Sequence, residues 1–131
     1  MRRLTAAIAL TCTVAACSTF NDMDNGLAAM KGQPVDNLIA VLGYPSGQTT
    51  VAGRNFVVWS TARTVSGTTP VSTYNPGSYG GYSTTYMPTS YNYNCTIKVE
   101  VDAQNRIVGY NYDGNIGGCQ GYSKALKKVA R

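Results

Sequence analysis

Tyr91-Asn92-Tyr93-Asn94-Cys95-Thr96-Ile97-Lys98-Val99-Glu100-Val101-Asp102 alternates more regularly than any other run in the chain. Tyr91, Tyr93, Cys95, Ile97, Val99 and Val101 fall on one face; Asn92, Asn94, Thr96, Lys98, Glu100 and Asp102 fall on the other. Successive side chains of a strand point to opposite sides, so a period of two predicts an antiparallel strand with one buried and one wet face. Asp102-Ala103-Gln104-Asn105 has turn composition, and Arg106 to Tyr112 returns as the hairpin partner. On the N-terminal side, Arg54 to Arg63 is rich in aromatic and β-branched residues. Phe56 and Val58 face one way while Val57 and Trp59 face the other, so both sides need cover and the segment reads as a central strand. Trp59 is then a core residue rather than a ligand platform, and Tyr110 and Tyr112 are packing residues.

Helices are expected around these strands. In Gly32 to Pro45, Val35, Leu38, Ile39 and Leu42 follow the i, i+3, i+4, i+7 pattern of one helical face. Pro34 suits the first turn, Asp36 suits the positive N-terminal end, Gly43 can end the helix and Pro45 stops its continuation. So short a helix is unstable alone and must lie against the sheet that follows. After the glycine-rich corner Gly114 to Cys119, the tail reads as a helix with Cys119, Tyr122, Ala125 or Leu126, and Val129 on one face. Its basic residues, Lys124, Lys127, Lys128 and Arg131, crowd the C-terminal end that the helix dipole favours. A weaker helical pattern, Met23, Leu27 and Met30, runs from Phe20 to Lys31 with Gly26 inside it. Ser46 to Gly53 reads as a polar turn.

Thr64 to Asn94 is a different material. It holds no charged residue and six of the ten tyrosines, Tyr74, Tyr79, Tyr82, Tyr86, Tyr91 and Tyr93, among many Gly, Ser, Thr and Asn. It lacks the aliphatic residues for a core of its own. Two forms are open to it, a long hairpin excursion or a disordered insertion loop, and insertions this long in small domains are often functional.

Arg2 and Arg3 precede an apolar run from Leu4 to Ala16. A positive start, a short apolar core and small residues at its end make residues 1–16 a signal peptide. The core is too short to span a bilayer, which takes about 20 residues. Val14-Ala15-Ala16-Cys17 resembles the lipobox of bacterial lipoproteins, an aliphatic residue and two small ones before the cysteine that takes the diacylglycerol. The resemblance implies cleavage before Cys17, acylation there, and a stable anchor, since two or more acyl chains hold where one does not. Ser18 follows in place of an aspartate, which by the same resemblance favours the periplasmic face of the outer membrane. Residues 17–25 then form a lipidated polar tether and residues 26–131 a single domain. Cys12 leaves with the signal and Cys17 is lipidated, so Cys95 and Cys119 remain. An oxidising periplasm pairs them, tying the terminal helix to the sheet. A two-cysteine metal site is the rival, but the chain has no histidine to complete it.

The block from Gly32 to Tyr112 resembles the small outer-membrane lipoproteins of the SmpA/OmlA (BamE-like) type. The resemblance rests on Gly32, a short helix with Leu38, Leu42, Gly43 and Pro45, a turn with Gly53, the aromatic strand with Phe56 and Trp59, and the hairpin from Ile97 to Val101 and Ile107. It covers about half of the mature chain. It implies an α+β fold, with short helices on one face of an about three-stranded antiparallel sheet. Pro34 in place of a Ser or Thr cap, the uncharged tyrosine segment, and the Cys95/Cys119 pair with its terminal helix depart from the pattern. The family's part in inserting outer-membrane proteins depends on surface residues not matched here.

Catalysis has poor material. Without histidine there is no conventional Ser/His or Cys/His pair. The carboxylates are Asp22, Asp24, Asp36, Glu100, Asp102 and Asp113; Glu100 and Asp102 would sit about 7 Å apart on one strand face, where solvated surface charges are the commoner explanation. No enzyme, cofactor or metal is expected. Without Arg2 and Arg3 the chain keeps nine basic against six acidic residues, too modest and scattered an excess to indicate nucleic acid. The expected partners are the membrane, through the lipid, and envelope proteins, which makes the chain an interaction or scaffold module. Tyrosine with Ser, Gly and Asn also suits broad adaptable contacts. The alternative is therefore a periplasmic inhibitor of a lysozyme or protease, or a glycan or peptidoglycan binder, working through that segment.

Overall fold

The computed structural model describes residues 15–77 and 80–131, with side chains from Ser18 onward. Most of the expected signal peptide and Tyr79 lie outside the described residues, as does the side chain of Cys17. Along the chain come α1 (Ala15–Ala29), α2 (Val35–Leu42), β1 (Gly47–Val51), β2 (Arg54–Asn75), β3 (Gly81–Val101), β4 (Ile107–Gly114) and α3 (Ile116–Lys127). The fold is α+β, and its antiparallel sheet has four strands in the order β1-β2-β3-β4, not three. The additional strand, β1, replaces the expected polar turn. It pairs with β2 from Gly47↔Val58 to Val51↔Arg54 around Ala52 and Gly53, both at positive φ. Two central residues in that region make the tight turn whose twist matches a hairpin.

Strand β3 keeps the alternation that its sequence promises. Cys95, Ile97, Val99 and Val101 are buried on one face with Val57 and Trp59 of β2. In register with Val99 and Ile97, Tyr110 and Tyr112 of β4 extend the same face. The helices cover it: Met23, Leu27, Leu38 and Leu126 are almost wholly buried against these residues. The Trp59 indole N–H, buried in this layer, donates to the Gly43 carbonyl at 2.8 Å and holds the end of α2 to the sheet. Gly43, at φ 87, ends α2 with its N–H on the Ile39 carbonyl at 2.8 Å.

Helix α1 corrects the expected tether. Residues 17–25 are not a free polar lead; they lie within α1, which also takes in the helical pattern expected from Phe20, and Thr19 and Met23 are buried. Gly26, which looked like an interruption, is a point of contact, since a side chain there would run into Leu126 of α3. The packing that a glycine permits here outweighs its cost of about 1 kcal/mol in helix propensity.

The direction of α1 follows from its contacts with β4. The Phe20 ring stacks on Tyr112 at 6.0 Å, the Tyr110 hydroxyl donates to the Asp24 carbonyl at 3.4 Å, and the Gly32 N–H donates to Ile107 at 2.8 Å. As α1 advances, β4 is met in reverse. The helix therefore starts at the end of the sheet where β4 finishes, beside Cys95 and Gly114.

Burial, together with the neighbouring Asp24 carboxylate, pushes the Tyr112 phenol up from 10.0 to about 12. The folded chain holds this proton more tightly than the unfolded one, so the stability it contributes is complete below about pH 10 and is lost as pH rises toward 12. Melting temperatures by circular dichroism from pH 9 to 11 are expected to fall, and Tyr112→Phe is expected to make that fall shallower.

Candidate functional site

Strands β2 and β3 are far longer than the body they belong to. Their pairing runs unbroken from Asn55↔Val101 to Asn75↔Gly81, whereas β1 reaches only Val58 and β4 stops opposite Cys95. Beyond Ala62 and Asn94 the two strands continue alone. About twelve residues per strand at roughly 3.3 Å each carry this ribbon about 40 Å past the body. Of the two forms open to Thr64–Asn94, the structure takes the hairpin.

The five described tyrosines of the segment do not form one patch. Tyr91 and Tyr93 share the odd-numbered face of β3 with Cys95 and Ile97. Tyr82 and Tyr86 lie on the even-numbered face, with Tyr74 directly opposite Tyr82. The Tyr74 and Tyr82 rings meet at 5.3 Å near the tip. Tyr74, Tyr82, Tyr86 and Tyr91 are all exposed.

Without apolar cover, the ribbon is braced by its own polar side chains. Thr64 donates to Asn92 at 2.9 Å, Thr69 to Thr89 at 3.4 Å and Asn75 to Ser83 at 2.8 Å, while the Ser72 and Thr84 hydroxyls meet at 3.5 Å. Cross-strand pairs of this kind contribute roughly 0.2–1 kcal/mol each.

The backbone orientation is set at the base. Val58 accepts from Ser46 of the β1 side, while Asn94 and Asn92 accept from Asn115 on the β4 side. Even-numbered residues of both strands thus turn their N–H and C=O groups outward, and odd-numbered ones pair across the ribbon. Pro70 and Pro88 are both even-numbered, so neither removes a bond from the ladder. Past the body, both outer edges of the ribbon carry unpaired backbone groups.

The base is clamped by α3. Cys95 and Cys119, both fully buried, are bonded, with Cα atoms 4.9 Å apart. Closing this loop of 24 residues contributes on the order of 3 kcal/mol in the chain-entropy model. Asn115 caps α3 by accepting the Gly118 N–H at 2.9 Å, and its amide also donates to the Asn92 carbonyl at 2.8 Å. A Cβ at Gly118 or Gly114 would occupy the Asn94 backbone, and one at Gly117 the Tyr93 ring. Arg63 lies over the other side of the base, 5.1 Å from the Tyr93 ring centre. The sequence points to the cysteines and to a glycine-rich corner, but not to the cap at Asn115 or to what these glycines touch. An asparagine directly before a helical run is an N-cap signal that would have found the first.

The remaining candidates have structural work. Glu100 meets Arg54 at 3.6 Å, and Asp102 accepts the Gln104 and Arg106 N–H groups at 2.9 Å in the β3–β4 turn. Leu38 is in the core, Leu42 and Pro45 are half-buried, and Gly32 turns the chain at φ 82. A groove of about 400 Å³ between α2 and the β1–β2 hairpin includes Asp36, Ile39, Thr49 and Phe56.

Comparison with protein-family models, with characterised proteins and with solved structures finds no match to this chain.

Replacing the Gly118 hydrogen with a methyl group tests the clamp. Gly118→Ala is expected to destabilise the fold by about 1–3 kcal/mol, the usual cost of overpacking against atoms that cannot move. Asn115→Ala is expected to cost about 1 kcal/mol as a lost cap. Both are read from chemical denaturation of the oxidised protein.

Proposed function

We propose that the chain is a lipid-anchored protein of the bacterial cell envelope, held through Cys17 at the periplasmic face of the outer membrane, and that it acts by contact through its ribbon. The observation that carries this reading is a long, uncharged, exposed ribbon fixed at its base by a disulfide, a helix cap and glycine contacts. The ribbon contributes little to the core, so its length and rigid attachment are explained by something outside the body. The signal peptide and lipobox pattern support the address. The resemblance to SmpA/OmlA lipoproteins supports a place in outer-membrane assembly or integrity, and the helix layer on one face of an antiparallel sheet agrees with it. On this reading the body is a mount, and the ribbon is the working part.

Mass spectrometry of the N-terminal peptide from protein expressed in a Gram-negative host is expected to show an acylated Cys17, absent in Cys17→Ser. Excising Thr64–Asn92 and joining Arg63 to Tyr93 by a two-residue Asn-Gly turn leaves the base pairs in place. The shortened protein is expected to stay folded and acylated while cells carrying it become permeable to large antibiotics. Unchanged permeability would count against an envelope role for the ribbon.

A further inference from the structure

We propose that the ribbon crosses the outer membrane as one hairpin of a β-barrel built from several copies of this chain. The inference rests on the anchored reading above and names what the ribbon touches: hydrocarbon on one face and neighbouring copies along its edges.

Placement comes first. Helix α1 begins at the end of the sheet from which the ribbon leaves, as the Phe20–Tyr112, Asp24–Tyr110 and Gly32–Ile107 contacts require. Cys17 lies within α1, and Thr19 two residues on is already buried, so little slack separates a lipid at Cys17 from the body. A membrane holding that lipid lies at the ribbon's base, and the ribbon extends about 40 Å past it.

Dimensions and composition fit the bilayer. No charged residue occurs from Thr64 to Asn94, and Arg63 and Tyr93 mark the base. Tyr91 near the base and the Tyr74–Tyr82 pair near the tip are separated by about nine residues, roughly 30 Å along the strand. At the tilt usual for barrel strands this leaves about 23 Å, close to the apolar band of roughly 25 Å in outer-membrane barrels, with Tyr91 on the lipid side at one end and the Tyr74–Tyr82 pair on the interior side at the other. Arg63 stands where a long basic side chain reaches the headgroups.

The two faces divide as a barrel wall divides. The aliphatic side chains of the ribbon, Val65, Val71 and Met87, all lie with Tyr91 on the odd-numbered face, among Thr69, Thr73, Ser83, Thr85 and Thr89, and this is the side on which α1 packs. Thr64, Ser66, Ser72, Thr84, Ser90 and Asn92 lie on the even-numbered face with Tyr74, Tyr82 and Tyr86, whose hydroxyls also suit a wet interior. The Thr69 and Thr89 hydroxyls on the odd-numbered face bond to each other.

The edges decide for several copies. Beyond Asn92 the even-numbered residues turn backbone groups outward that find no partner among the described residues, and hydrocarbon offers them none. A lone hairpin cannot remain there. Pairing the β2 edge of one copy with the β3 edge of the next satisfies these groups, and Pro70 and Pro88 each withhold one donor from that seam. The smallest such barrels have about eight strands, which corresponds to roughly four copies.

The test uses full-length protein extracted from membranes and reconstituted in phosphatidylethanolamine/phosphatidylglycerol vesicles. An environment-sensitive dye on Val71→Cys is expected to be quenched by nitroxide lipids about fivefold more strongly than the same dye on Ser72→Cys, since adjacent residues alternate between lipid and interior. In mild detergent the protein is expected to run as a discrete assembly of four or more chains. Val71→Lys is expected to lower the assembled fraction roughly thirtyfold or more, as a cation at mid-bilayer depth does on a lipid-facing site, with Ser72→Lys near wild type. Equal weak quenching at both sites together with a single-chain mass would overturn the proposal. The N-terminal mass spectrum separates the two readings: an acylated Cys17 with an unquenched ribbon leaves the anchor and removes the barrel. An unacylated Cys17 removes the anchor and with it this placement of the ribbon.

Discussion

The contact between the start of α3 and the backbone of β3 at Asn94 is the constraint on which the rest depends. Here Gly118 of the helix meets the strand backbone with no side chain between them, Gly114 at the end of β4 leaves the same backbone room, and Gly117 seats the Tyr93 ring. That approach puts Cys119 within bonding distance of Cys95 and lets Asn115 serve the helix and the strand at once. Bulkier residues in this corner would push α3 away, separating the sulfurs and opening the core around Leu126. The same contact supports β3 at the point where it leaves the sheet, so the clamp on the body also fixes the root of the ribbon.

A two-stranded ribbon in water is marginally stable, because it has no third strand and no apolar cover. This one extends from a sheet that is already stabilised, and its first pairs inherit their register from the buried pair Trp59↔Ile97 and from Thr61 opposite the buried Cys95. Threonine and serine ladders add small increments along it. The division of labour is plain: the body supplies stability and register, and the ribbon supplies area.

What was legible in the sequence followed burial. Ile97, Val99 and Val101 announce β3 because one side of that strand packs and the other does not, and Val35, Leu38 and Leu42 announce α2 for the same reason. Strand β1 was hidden because all five of its residues are exposed, leaving no alternation to read, and its turn uses Ala52 where Asn or Asp is the usual signal. The part of α1 before Phe20 was hidden by its polar composition, which resembles a linker until Thr19 is seen to pack. For the ribbon, Thr, Tyr and Val favour strands while Gly, Pro, Asn and Ser argue against them. Local preference therefore left the segment undecided. The clue was in the prolines, but only register shows that Pro70 and Pro88 both point their nitrogens away from the ladder.

That parity makes the ribbon a part with quantised length. Removing two residues from each strand shortens it by one full repeat, keeps every surviving side chain on its own face and leaves the body untouched. Removing one residue from each strand exchanges the two faces of everything beyond the cut. If the cut lies between the base and the prolines, it also turns their nitrogens into the ladder, where each would leave a carbonyl without its donor. Length can therefore drift in even steps with little penalty, whereas odd steps invert the surface.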